Sequence, residues 1–555
     1  MSFVEQPVVA LFLSLTLGYL IGKIRIGPVQ IGGVCGTLFV ALAIGQLGVT
    51  LSPDLKNVAF ALFIYALGFT AGPQFFNNIR GGLRYGILSF VEVATVLALV
   101  AVAVLLFRLD PGTASGLFAG SATESAVLGT ASDAIGRLPL PAAEIARLQA
   151  NMATAYSVTY LFGLVAIVVF TTQIGPLLLR INLREEAATL ARQLGAEDDG
   201  AKENGVPEIV SRTFRAGPVA GGTVGAFENS VNGVVTIEQV GRGSGFVKAT
   251  PDMQLEAEDV VLVIGRRRSV IAIAERLGAE VPMPAGDNVP LVERQVVLVR
   301  REVSGLRIRD LRRLASDEQR RGVFISHVRR LGQGIPALPG TVLEQGDILT
   351  LYGSEEAITR AAPELGHLLP TTSATDFVML GLGVVAGLLL GEVAIQVGAL
   401  NLTLGTGGGA LVSGLVFGWL HMHRPQLGGI PPQAAEFMKD FGLATFIAAV
   451  GLSVGPDAIA LLKQYGLVLP VLSILVSALP GLASLYIGRY LLKIEAPILL
   501  GAIAGQHCST PSISALVSLA GNSTPVIGYT VTYAISNVLL PLMGPVVVGM
   551  VGMIG

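Results

Sequence analysis

Charge is distributed along this chain in a way that no single globule can accommodate. Of its 76 charged side chains, 49 fall within the 190 residues 181–370, which leaves 27 for the other 365. Soluble domains carry about 25% charged residues, whereas this chain averages 14%, with 52% hydrophobic residues. It reads as two apolar blocks around one soluble insert, which excludes a single soluble globule and a disordered chain. The net charge of −2 leaves no electrostatic footprint for nucleic acid. Cys35 and Cys508 lie far apart in apolar runs, with neither a disulfide framework nor metal-ligand spacing. The run Val8–Gly22 lacks a basic leader and a small-residue cleavage site, so it reads as a retained helix.

A bilayer core takes roughly 20 apolar residues per helix. Spans are expected near 7–22, 28–47, 57–76, 86–107 and 150–179, then near 376–396, 402–420, 441–458, 466–488 and 525–552. Two further stretches, 113–132 and 497–520, are too rich in Gly, Ser and Thr to face lipid comfortably. If each enters and leaves on one side as a re-entrant hairpin, the basic residues sort by face. Lys23, Arg25, Arg80, Arg84, Arg180, Arg424, Arg489 and Lys493 then share one side, which the positive-inside tendency makes cytoplasmic. Both termini are outside and the insert is inside. If the stretches cross fully, that bias blurs.

The two apolar blocks repeat each other. Ala66-Leu-Gly68-Phe-Thr-Ala-Gly72-Pro73 matches Ala449-Val-Gly451-Leu-Ser-Val-Gly455-Pro456. Gly116-Leu-Phe-Ala119-Gly120 matches Gly501-Ala-Ile-Ala504-Gly505, and Val158-Thr159-Tyr160 recurs as Val531-Thr532-Tyr533. Five spans per block is an odd number, so the copies are expected upside down relative to each other. Inverted repeats of this kind mark secondary transporters, whose substrate sites lie at the repeat interface near the midplane. The insert repeats too, with an offset of 88 residues: Pro251 and Pro339, Leu255-Glu256 and Leu343-Glu344, Asp259 and Asp347, Gly265 and Gly353. Short β-rich runs followed by helical stretches make it a tandem of small α+β domains.

With these residues in view, the whole chain resembles the aspartate:alanine exchanger family of bacterial transporters. The resemblance implies two membrane halves around a cytoplasmic loop bearing two copies of the C-terminal domain of potassium-conductance regulators. The expected domains are 1–180, an N-terminal transmembrane repeat; 205–285 and 290–368, two regulatory domains; and 371–555, a C-terminal transmembrane repeat. The fold class is thus a polytopic α-helical membrane protein with two inverted repeats of five helices plus a re-entrant hairpin each. The family's small-residue motif reads approximately Thr-Ser/Asn-Thr-Pro. The second copy here, Cys508-Ser509-Thr510-Pro511, is close to it; the first, Thr123-Glu124-Ser125-Ala126, has lost the Pro and gained an acid. Family members exchange amino acids or dicarboxylates such as aspartate, alanine or succinate, and the resemblance implies such carboxylates as substrates. It also implies a multi-pass inner-membrane location and a homodimer, with a possible small-molecule effector at the insert.

The site is expected at Ser121, Thr123, Glu124 and Ser125, opposite Gln506, His507, Cys508, Ser509 and Thr510. Gly120 and Gly505 permit the turn, with Pro511 beyond the second. Irregular backbone at membrane depth is tolerated only where protein buries it or a wet cavity meets it. Freed N–H groups, short hydroxyls and half-helix N-termini there can hold a carboxylate; the plainer reading is that the hydroxyls glue helices together. An acid in an apolar stretch is a functional candidate, so Glu124 could take a proton, bind a cation or pair with a substrate ammonium group. His507 either titrates near neutrality or packs through a hydrogen bond. Glu92 reads as a structural hydrogen bond. Arg80 is either a bidentate carboxylate partner or a positive-inside anchor. Tyr160 and Tyr533, with Tyr156 and Tyr529, either supply hydroxyls or cap the interface. No cofactor or metal is expected, because the five His have no ligand spacing, and no nucleophile–base pair points to an enzyme. The competing classes are a ligand-gated ion channel and a cation-coupled carboxylate symporter.

Overall fold

The computed structural model describes residues 6–26, 29–30, 32–81, 83–194, 209–231, 233–242, 245–282, 291–314, 316, 319, 321–369, 375–397, 400–424 and 429–554. The expected domain boundaries at 205, 285, 290 and 371 lie outside them. The chain divides into two compact units, residues 1–188 with 372–555, and residues 189–371.

The first unit is helical, and its element order runs twice. Helices Pro7–Gly22, Gly33–Gly45, Pro53–Gly81 and Leu83–Phe107 precede two short arms, Pro111–Ser121 and Ala126–Gly136, and a long helix, Ala142–Val169. The second half repeats this as Phe377–Gly391, Gly405–His423, Pro432–Tyr465, Val468–Tyr486, the arms Ala496–Gln506 and Thr510–Ala520, and Thr524–Ile554. Between the first two helices of each half sits a short antiparallel ribbon, Arg25–Ile26 with Val29–Gln30, and Ala394–Val397 with Leu400–Thr403. These ribbons correct the continuous spans expected at 28–47, 376–396 and 402–420. In the second of them β-branched Val393, Ile395 and Val397 alternate with Ala394 and Gln396, a strand rather than a helix pattern. Among the described residues five helices are long and apolar enough to cross a membrane: Pro53–Pro73, Arg84–Phe107, Ala142–Leu179, Val468–Leu491 and Thr524–Ile554.

The halves complete each other's packing. The Gly33–Gly45 helix lies on Pro432–Tyr465, and its counterpart Gly405–His423 lies on Pro53–Gly81. Likewise Leu83–Phe107 lies on Thr524–Ile554, while Val468–Tyr486 lies on Ala142–Val169. Backbones approach closely along glycine seams: a Cβ at Gly36 would sit 2.0 Å from the Gly18 carbonyl oxygen, and one at Gly409 2.1 Å from that of Gly387. The shared core includes Phe60, Leu117, Phe118, Val127, Phe446, Ile447 and Val547. Outward-facing Leu106, Leu177, Phe377, Leu467 and Leu491 are all more than two-thirds exposed, an exterior suited to hydrocarbon.

The second unit holds two antiparallel sheets of matching topology. In the first the order is Ile209–Arg215, Val260–Arg266, Val235–Arg242, Gly245–Lys248. In the second it is Gly366–Leu368, Leu291–Leu298, Ile348–Ser354, Val323–Arg330, Gln333–Ile335. Each sheet is closed by one bidentate ion pair at the same 88-residue offset. Arg242 meets Asp259 at 2.8 and 2.9 Å, and Arg330 meets Asp347 at 2.7 and 2.7 Å. Both arginines also bond a backbone carbonyl, that of Gln254 or Val342, and both aspartates accept the amide of Glu256 or Glu344. Burial pushes the Asp259 carboxyl up, but the Arg242 guanidinium and the Glu256 amide hold it below the ordinary Asp value. Arg321, beside the second sheet, reaches the first, donating to Glu228, Ala249 O and Ile237 O at 3.0, 2.6 and 2.7 Å.

The second pair is the more deeply buried, with side chains 2% and 0% exposed. Arg330→Met strands a buried carboxylate, and the expected loss is about 3–5 kcal/mol. Arg242→Met, at a half-exposed and solvent-screened guanidinium, should cost markedly less. Hydrogen exchange of strand amides at 291–298 and 348–354 in the full chain, set against that at 235–242 and 260–266, checks this ordering. Because the folded Asp259 carboxyl sits low, the first sheet's contribution from it is complete above the ordinary Asp value of about 4 and fades as pH falls below it.

Candidate functional site

Each pair of short arms folds back on itself. At the outer ends of the first pair, Asp110 accepts from Asn151 at 3.0 Å and the Ser132 carbonyl accepts from Gln149 at 3.1 Å, so both ends return to the start of the same long helix. An 11-residue arm is about 16 Å long, half a bilayer core. Asp110 caps the first arm through the amides of Gly112 and Thr113. The second pair repeats the plan, with Pro497 opening one arm and Pro511 the other.

The turns are built identically. Thr123 and Cys508 occupy matching positions with φ of 52° and 50°, the left-handed region that non-glycine residues seldom enter. Thr123 N–H bonds Gly120 O and Glu124 N–H bonds Ala119 O; Cys508 N–H bonds Gly505 O and Ser509 N–H bonds Ala504 O, all at 2.9–3.1 Å. These bonds close each first arm in a Schellman-type turn. Gly120 and Gly505 serve close approach here: a Cβ would meet the Thr159 hydroxyl at 2.0 Å or the Thr532 hydroxyl at 2.3 Å. Those two hydroxyls donate to Gly116 O and Ala502 O, so they fasten the arms to the long helices and do not face the turns.

The two tips touch. The Thr123 hydroxyl donates to the His507 carbonyl. Glu124, 5% exposed, accepts the Ala126 amide at 3.0 Å and a hydrogen bond from Cys508. Ser125 meets the Tyr156 hydroxyl at 2.6 Å, and its counterpart Thr510 meets that of Tyr529 at 3.4 Å. The tyrosines pair in kind, Tyr156 with Tyr160 and Tyr529 with Tyr533, at ring distances of 5.3 and 5.0 Å. Ser509 caps the second arm at the Ser512 amide. Ser121 is within 3.3 Å of the Ser473 hydroxyl, and its carbonyl accepts from Ser477. Gln506 is fully buried, and neither end of its amide has a partner among the described residues. Around the first tip Thr123, Glu124 and Ser125 are buried, whereas at the second Thr510 is exposed and Cys508 half-buried.

The structure therefore brings together Ser121, Thr123, Glu124, Ser125, Gln506, His507, Cys508, Ser509 and Thr510, with Tyr160 tilted against Tyr156 and Tyr533 stacked on Tyr529. Arg80 lies on the last turn of the Pro53–Gly81 helix, and its side chain is outside the described residues. Sequence reasoning missed two contributors. Ser473 and Ser477, four apart on a largely apolar helix, are the polar stripe on which the first tip rests; their i, i+4 spacing was the available signal. Glu92, read as structural, does stand 3.5 Å from Ser536, but it also stands 3.1 Å from His507 Nδ1.

Residues 10–176 and 379–549 match the predicted permease membrane region of the aspartate:alanine exchanger family. An uncharacterized transporter of Zymomonas mobilis is 39% identical over 551 residues, covering 98% of this chain and 97% of that one. Others from Bordetella parapertussis and Francisella tularensis are 38% and 34% identical, covering 98% and 100% of this chain and 96% and 99% of theirs. No solved structure is significantly similar to this chain.

A methyl group at either tip glycine must displace the neighbouring helix. Gly120→Ala and Gly505→Ala are each expected to cost about 1–3 kcal/mol and to part the tips. The check is a cysteine pair at Thr123 and His507, whose oxidative cross-linking should fall in both alanine variants.

Proposed function

We propose, from the premise that the chain belongs to the aspartate:alanine exchanger family of permeases, that this membrane transporter is a secondary exchanger of small carboxylates. The observation that carries the reading is the meeting of two equivalent half-length hairpins at one polar spot inside an apolar bundle. Hydroxyls of Ser125, Ser509 and Thr510 and the amide of Gln506 offer donors there, the Thr123 hydroxyl joins them when it leaves the His507 carbonyl it meets in this conformation, and the second arms begin beside them with their positive ends. Glu124 would complement a substrate ammonium group. Arg80 is a candidate partner for a second carboxylate. The unequal exposure of the tips fits one end state of an alternating cycle, closed around the first tip and open at the second. Both termini lie outside and the insert is cytoplasmic in this reading. It includes a homodimer, and the paired sheets, at about 205–285 and 290–368, act as regulatory domains that bind an effector in one transport conformation better than in another.

The test is counterflow in proteoliposomes with a labelled panel of aspartate, alanine, succinate and related acids. Trans-stimulated uptake is expected. The pair Thr123→Ala and Thr510→Ala should lower apparent affinity about 100-fold, two hydrogen bonds to a charged ligand at roughly 1.5 kcal/mol each. Deleting about 205–368 behind a flexible linker should alter the rate without changing which acids compete. Voltage-driven current without counterflow would replace the carrier by a channel, and a deletion that swaps substrate preference would put the insert in the site.

Orientation is checked separately. A single cysteine at the exposed Ser52 should react with an impermeant reagent from outside, and those at Gly82 and Ala201 should not. Cytoplasmic labelling at Ser52 overturns the inverted arrangement.

A further inference from the structure

The hydrogen-bond accounting around His507 does not close with the protons of an ordinary neutral imidazole and an ordinary carboxylate. His507 sits at the turn of the second hairpin and Glu92 on the Leu83–Phe107 helix of the other half; both side chains are 0% exposed. Ring Nε2 lies 3.1 Å from the Ser477 carbonyl oxygen, which can only accept, so Nε2 carries a hydrogen. Nδ1 lies 3.1 Å from Glu92 Oε1, and neither atom has a hydrogen-bond partner elsewhere among the described residues. The Ile503 carbonyl also faces the ring, outside hydrogen-bond geometry, and is again an acceptor. A neutral ring would therefore turn a bare lone pair on a carboxylate oxygen, leaving two buried acceptors opposed and both unsatisfied. One additional proton removes the conflict, whether it resides on Oε1 or on Nδ1, and it makes the pair neutral overall.

We propose that Glu92 and His507 form a proton-binding site shared between the two halves of the transporter, occupied in this conformation. The other Glu92 oxygen lies 3.5 Å from the Ser536 hydroxyl, whose one hydrogen can serve either it or the Ser89 oxygen at 3.0 Å. The ionisable groups facing the pair are Glu124 on the first tip and Cys508 beside His507, and Tyr533 on the last helix faces those two in turn. Lys439 reaches Glu124 from the Pro432–Tyr465 helix. Within the exchange reading, on which this step rests, the second hairpin moves relative to the Leu83–Phe107 helix during the cycle. Separation dissolves the shared hydrogen bond and frees the proton, so conformational change and proton binding are linked. Burial of an anionic carboxylate beside Glu124 is then accompanied by a proton that offsets like charge.

The direct test needs no substrate. In purified full-length protein with His327, His367, His421 and His423 replaced by Gln, the remaining 15N-labelled histidine is His507, and its two ring nitrogens report where hydrogens lie. Expected is a hydrogen on Nε2 and a second, shared one at Nδ1, with an infrared band of a protonated, hydrogen-bonded carboxyl where the proton rests on Glu92. Glu92→Gln should abolish the shared signal. A ring hydrogenated only at Nδ1 beside an ionised Glu92, or a shared signal unchanged in Glu92→Gln, overturns the proposal. The wild-type pair is read directly, so the proton site is decided even where a Glu92 variant fails to fold. In proteoliposomes, counterflow of labelled aspartate or succinate should vary by up to about tenfold per pH unit, as one linked proton allows, and Glu92→Gln should flatten that profile. If none of the labelled acids moves, the carboxylate reading falls while the nitrogen signals still decide the proton site. If counterflow is robust and the shared proton is absent, the proton site alone falls.

Discussion

Four half-length helix arms end at one place inside the helical unit, and each end leaves backbone groups that hydrocarbon cannot satisfy. Much of the membrane unit follows from meeting that demand with protein. The Schellman-type closures at Gly120 and Gly505 use up the amides of four residues. Side chains take several others: Glu124 at the Ala126 amide, Ser509 at the Ser512 amide, Ser477 at the Ser121 carbonyl and Thr123 at the His507 carbonyl. Once these are counted, the polar residues of the tips divide in two. Some are consumed by the fold, and Gln506, whose amide has no partner among the described residues, is not.

The first two helices of each half are held together by a different device. Glycine seams bring backbones into contact where Gly36 meets Gly18 and Gly409 meets Gly387. Contacts of that kind have one geometry and resist sliding, whereas the tips are joined by a few directional hydrogen bonds. The unit thus pairs a stiff frame with a polar seam that can be remade. The insert obeys another logic, that of a soluble core in which each sheet uses one arginine to neutralise one buried aspartate.

Much of this was legible in the chain. The segregation of charge located the two apolar blocks, and the Gly, Ser and Thr that made 113–132 and 497–520 poor lipid-facing helices are the residues at which the short arms turn and pack. Asp259 and Asp347 stood out by their offset. Their partners Arg242 and Arg330 share that offset, yet were lost among many arginines, because a sequence displays recurrence but not which charge is buried. The ribbons at 25–30 and 394–403 were absorbed into expected spans, since hydropathy does not separate an apolar strand from an apolar helix. Glu92 and His507 are 415 positions apart in the chain. No local rule links them; only the exchange of packing partners between halves brings them within 3.1 Å.

That pair also breaks the equivalence of the halves. Matching the turns places Thr123 on Cys508, and therefore Ala122 on His507. A methyl group stands where an imidazole would be needed, so the chain holds no mirror-image partner for the Glu92 contact. An ancestral duplex of two identical halves would have had such a contact twice or not at all. Its single occurrence marks a step taken after the copies diverged, and in the alternating cycle proposed above it would make the molecule directional: two conformations that exchange the shapes of the halves would not be energetic twins, because only one of them would contain this bond.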